Sequence, residues 1–207
     1  MKTNIKQRIS AWTAIAAIVG VVLSPAIASA AFDDTNQTIN AIVDPVISIG
    51  TGPAVDILLT PTSGGVLSND SDTVTVDTNN ATGYNLEIED GDATRTLANG
   101  GNSFAASTGT KTTPIALLNN TWGFAVNTGT TGIGTNGFDA SYGAESNSAS
   151  STSLWAGMPA NGAPIMLKTT STTAVADTTT VWFAAKATTS LPSGTYTDQI
   201  VYTATTN

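Results

Sequence analysis

The sequence predicts an all-β fold: a β-sandwich of roughly ten short, mostly antiparallel strands behind a cleaved N-terminal signal helix. Three observations predict it. Beyond the first thirty residues Thr, Val, Ile, Gly, Asn and Ser dominate, while the strong helix formers Glu, Lys, Gln and Arg are scarce. Tyr84, Leu86 and Ile88 alternate with Asn85, Glu87 and Glu89, the period-2 pattern of a half-buried strand. Clusters of Gly, Asn, Asp and Ser separate such runs at short intervals.

Taken in chain order, residues 1–30 read as a secretory signal peptide. Lys2, Lys6 and Arg8 form a basic start, and an apolar run from Ala14 to Leu23 follows. That run is about half the roughly 20 residues a membrane-spanning helix needs. Pro25 breaks any helix soon after it, and Ala28-Ser29-Ala30 supplies small residues for cleavage, so the mature chain is expected to begin at Ala31. Residues 31–207 then form a single sandwich domain. In Thr38 to Val43, Ile39, Ala41 and Val43 alternate before Asp44-Pro45, giving a strand that either completes its own sheet or adds to the edge of a second copy. The wider run Ala41 to Ile49 and the run Val55 to Leu59 are the next strand candidates.

Thr73 to Asp77 pairs naturally with Tyr84 to Glu89, with Asn79 to Gly83 as the turn and Val74 and Val76 on the shared buried face. Asp90-Gly91 turns the chain into Ala93 to Leu97. Ile115 to Leu118, Trp122 to Val126, Pro164 to Lys168, Val181 to Ala187 and Tyr196 to Thr205 complete the set. In Trp122 to Val126, large residues alternate with Gly123 and Ala125, so the small face must lie against something close. Val181 to Ala187 is apolar on both faces and reads as a central strand. Asp198 interrupts the last run and is expected to point outward at a sheet edge. Residues 127–152 hold five glycines among Thr, Ser and Asn without periodicity, which predicts a long loop pinned down by Phe138, Tyr142 and Trp155.

Three of the seven basic residues lie within the first thirty, and all fifteen acidic residues lie beyond them. The remainder therefore carries a net charge of −11 with its four cations, Arg95, Lys111, Lys168 and Lys186, scattered singly. Such a chain repels nucleic acid rather than neutralising it. Membrane contact is expected only through the uncleaved signal during export. The absence of cysteine excludes lipid attachment at a thiol.

Three segments carry a resemblance: Val74 to Leu86, with its Asp77-Thr78-Asn79-Asn80-Ala81-Thr82-Gly83-Tyr84 core; Trp122-Gly123-Phe124-Ala125; and Leu191 to Ala204, with Gly194-Thr195-Tyr196-Thr197. Together they resemble the small secreted β-sandwich surface proteins of candidate-phylum bacteria, which are distantly similar to WxL cell-surface domains. The resemblance implies a β-sandwich and a place at the cell surface. Trp122, Trp155 and Trp182 are followed two positions later by Phe124, Gly157 and Ala184 rather than Leu, so the peptidoglycan binding of true WxL domains does not carry over.

With no histidine and no cysteine, the chain lacks the usual general base, zinc ligand and thiol nucleophile, and it is expected not to be an enzyme. A Ser-Lys dyad would need Lys111, Lys168 or Lys186 buried beside a serine; a glycosidase pair would have to come from Glu87, Glu89, Asp90 and Asp92. No cofactor is expected. Asp70 and Asp72, and Glu89, Asp90 and Asp92, nevertheless cluster hard oxygen ligands near turns in a manner suited to calcium, although Asx residues also favour turns for their own hydrogen bonds. The expected role is a non-catalytic, secreted, cell-surface or envelope protein with a structural, coat or adhesive task. Its partners would be an envelope polymer, a surface protein or further copies of itself. The alternative is a secreted carbohydrate-binding module that would present Tyr142 or Trp155 to a glycan.

Overall fold

Period-2 alternation places one face of each strand against a core, and the β-rich composition of this chain produces such faces throughout. A computed structural model describes residues 37–127, 130, 132–139 and 153–207, and the chain divides into two compact units, Met1–Ile42 and Val43–Asn207. The expected signal helix, its cleavage site and Tyr142 lie outside the described residues, as does most of the expected 127–152 loop. In the first unit, residues 37–42 form no regular structure, and Ile39 and Ile42 are exposed.

The second unit is all-β. Its strands are β1 (Ile47–Gly50), β2 (Val66–Thr78), β3 (Tyr84–Asp90), β4 (Thr96–Asn99), β5 (Asn102–Ala106), β6 (Ile115–Ala116), β7 (Thr121–Val126), β8 (Leu154–Trp155), β9 (Ile165–Thr169), β10 (Ala174–Ala187) and β11 (Ile200–Thr206). A six-stranded sheet runs β1-β2-β10-β7-β5-β4, a three-stranded sheet runs β11-β3-β9, and β6 pairs with β8. Every strand pair is antiparallel except β5 with β7. The two larger sheets contribute to one core, with Val74, Val76, Phe124 and Val181 from the first and Leu86, Ile88 and Leu167 from the second.

Two expectations, one about pairing and one about strand length, are corrected. The segment Thr73 to Asp77 belongs to the 13-residue strand β2, which pairs with β1 and β10 and not with β3. Asn79 to Gly83 is an arch between sheets. Val74 and Val76 therefore share a core with Leu86 and Ile88 from opposite sheets, and all four are fully buried. The arch is held by Asn80, whose side-chain amide donates to the carbonyl of Gly83, and by Gly83, whose φ of 83° any side chain would strain. The strands are also not uniformly short, since β10 spans 14 residues between β2 and β7.

Within β10 the register slips between Ala174 and Asp177, a bulge with Ala176 at φ 48° and its N–H donating to the Asp77 carboxylate at 2.7 Å. The extra residue switches the inward face from Ala174 to the odd-numbered series Thr179, Val181, Phe183 and Ala185, all buried. β7 shows why its small residues alternate: a Cβ on Gly123 would lie 2.3 Å from the Ala156 carbonyl oxygen, so β8 and the residue after it pack backbone to backbone on this strand. Residues 55–59 keep the expected alternation, with Val55, Ile57 and Leu59 turned to the core, yet they form no strand. Residues 41–46 likewise form none, and Val43 and Val46 are exposed.

Candidate functional site

β3 carries its inward series Tyr84, Leu86 and Ile88 one step further to Asp90, so the period that buries three apolar residues also buries a carboxyl. Asp90 is 0 % exposed. Its Oδ1 accepts the Asp92 N–H at 2.8 Å, while Oδ2 has no hydrogen-bond partner. The turn after it is tight: the Gly91 N–H donates to the Gln199 carbonyl at 2.7 Å, and a Cβ at Gly91 would lie 3.0 Å from that of Gln199. Asp92 then closes an Asx turn, its Oδ1 accepting from the N–H and hydroxyl of Thr94.

The third member comes from far along the chain. β11 pairs with β3 so that Ile200 faces Asp90, and continuing that register by two residues brings Asp198 alongside Asp92. One carboxylate oxygen from each of Asp90, Asp92 and Asp198 lies within 4.8 Å of the others. Asp198 is half-buried; its Oδ1 accepts the Gln199 N–H at 2.8 Å and its buried Oδ2 has no partner. The expectation that Asp198 points outward at a sheet edge is therefore corrected. Its parity with Ile200 and Tyr202 is the signal that would have revealed this. Burial pushes the Asp198 carboxyl up to about 7, with the nearby Asp90 and Asp92 charges adding to the shift and the Gln199 N–H opposing it. Burial also raises the Asp90 carboxyl, with the Asp92 N–H and the Arg95 charge opposing the shift and the Asp92 and Glu89 charges adding to it. Arg95 itself turns to the Met158 carbonyl.

The proposed calcium ligands separate accordingly. Asp90 and Asp92 converge. Glu89 points to the opposite face of β3 and accepts the Gly162 N–H at 2.7 Å. Asp70 and Asp72 lie on β2 in the other sheet; Asp70 accepts its neighbour's N–H, and the buried Asp72 accepts the Gly52 N–H at 2.8 Å. Asp72 and Asp198 do share the wall of a cavity of about 460 Å³ between the sheets, together with Asp56, Trp122, Phe183 and Tyr202. The Tyr202 hydroxyl is buried without a partner, and burial followed by the Asp72 charge raises its pKa. A second cavity of about 580 Å³ adjoins it, lined by Val55, Leu59, Leu97, Phe104, Leu191 and Tyr196.

The glycan-facing reading of Trp155 is also corrected, because Trp155 is 0 % exposed within the core and cannot offer its ring to a sugar. Phe138 is buried beside the Lys111 ammonium, consistent with an anchoring role for this part of the loop. Lys168, a candidate for a Ser-Lys dyad, is buried against Asp177 at 2.6 Å, and Asp177 in turn accepts the Tyr84 hydroxyl at 2.8 Å. That arrangement is an ion pair with a phenol donor, and among the described residues the amine's hydrogen-bond partners are the Asp177 carboxylate and the Thr178 carbonyl, with no serine. No protein-family profile matches the chain, and no curated protein or solved structure is significantly similar to it.

Proposed function

We propose that the chain is a non-catalytic, exported protein of the cell surface that acts structurally, by associating with further copies of itself or with another surface component. The observation that carries this reading is the approach to β1. Ile39, Ile42, Val43 and Val46 are 88, 89, 80 and 62 % exposed, and they lead into a strand at the outer edge of the six-stranded sheet, where Ile49 is exposed as well. An exposed apolar series that runs in chain order into an edge strand suits strand addition, since backbone hydrogen bonds give affinity and alternate side chains give register. The basic and apolar start of the chain and its strongly acidic remainder support export, and the lack of histidine and cysteine supports a role without catalysis.

Protein recovered from the cell surface is expected to run as an oligomer in size-exclusion chromatography with light scattering. The double substitution Ile42→Asp and Val43→Asp should yield a monomer with the parent's melting temperature. A monomeric parent, or a protein confined to the cytoplasm, would overturn the reading.

A further inference from the structure

We propose that Asp90, Asp92 and Asp198 form a calcium-binding site that ties the turn after β3 to the approach to β11. Three carboxylates held within 4.8 Å repel one another, and proximity alone says nothing about what neutralises them. The independent observation is the fully buried Asp90, whose Oδ2 is left without a donor, together with the equally unpartnered and buried Oδ2 of Asp198. Buried carboxylate oxygens are normally hydrogen-bonded or bound to a metal. Here the local N–H groups of Asp92 and Gln199 are directed to the Oδ1 atoms, and Arg95 is engaged with the Met158 carbonyl. A divalent cation fits this deficit.

The all-oxygen set, without histidine or cysteine anywhere in the chain, selects a hard cation over zinc or copper. Calcium accepts irregular coordination by six to eight oxygens, so three side-chain carboxylates at an accessible sheet end can be completed by water, whereas magnesium demands a strict octahedron. Asp92 is exposed and Asp198 half-buried, which gives an ion a route in. The site joins residues more than a hundred positions apart in the chain and would therefore act as a staple across the end of the three-stranded sheet.

The test uses the purified full chain, stripped with chelator and titrated with calcium chloride or magnesium chloride, by calorimetry and by thermal melting. Calcium is expected to bind with a Kd of about 10⁻⁴ M, within the range of extracellular modules, and 10 mM calcium should raise the melting temperature by roughly 5–10 °C. Asp92→Asn and Asp198→Asn should each weaken calcium binding by about tenfold or more, while Asp70→Asn and Glu89→Gln stay within about twofold of the parent. In chelator, Asp198→Asn should melt at or above the parent because it relieves repulsion, so the loss in calcium cannot be read as misfolding. Should Asp198→Asn fail to fold, the exposed Asp92→Asn decides alone. Identical melts with and without calcium, a response to magnesium but not calcium, or parent-like calcium affinity in Asp92→Asn would overturn the proposal.

Discussion

At the scale of single residues, this fold buries polar groups at the ends of otherwise apolar faces, and among the described residues the Lys168 amine is the one met there by an opposite charge. Lys168 is 2 % exposed and lies on β9 of the three-stranded sheet, where its amine meets the Asp177 carboxylate that the β10 bulge presents. Tyr84 donates to the same carboxylate, and burial followed by that contact raises its pKa. Removing one partner of a buried pair costs more than removing both charges, because an uncompensated ion remains. Asp177→Ala strands the buried Lys168 ammonium and is expected to destabilise the protein by about 3 kcal/mol, measured by denaturant unfolding, whereas Lys168→Met leaves a partly exposed Asp177 still held by the Tyr84 hydroxyl and should cost clearly less. Equal costs would show that the pair contributes mainly packing.

At the scale of elements, the alternation of large residues with Gly and Ala in β7 was legible in the sequence as a demand for a close neighbour, and Ala156, directly after β8, is that neighbour. A Cβ at Gly157 would lie 1.9 Å from the Ser107 carbonyl oxygen and one at Gly123 lies 2.3 Å from that of Ala156, in both cases against backbone that cannot rotate away. Gly123→Ala is expected to cost about 2 kcal/mol, the order of an overpacked core. Val175→Ala, at a position 87 % exposed, should stay within about 0.5 kcal/mol of the parent in the same unfolding experiment. The pairing of β2 was not legible, because an arch between sheets and a hairpin within one bury the same alternate residues. Only the hydrogen-bonding partner differs, and period 2 carries no information about it.

At the scale of the whole molecule, the proposed association rests on a segment outside every strand. Deleting the residues before Asp44 removes the exposed Ile39, Ile42 and Val43 and takes away none of the residues that the described two-sheet core is made of. The truncated protein is expected to melt within about 2 °C of the parent and to lose its oligomers in light scattering. A large fall in melting temperature would instead show that this segment completes the protein's own sheet.

The sequence by itself determined the β-rich class, the inward faces of most strands, the central place of β10 and the acidic character of the chain, since each depends on residue type and on periodicity along the chain. It also brought Asp90 and Asp92 to notice, two residues apart at a turn. The tertiary structure alone decided that Asp198 joins them while Asp70, Asp72 and Glu89 do not, and that Trp155 is core. The physical reason is that a cluster of carboxylates and the cover over an aromatic ring are set by which strands become neighbours. β3 and β11 are brought together by hydrogen bonds between backbone groups that every residue carries alike.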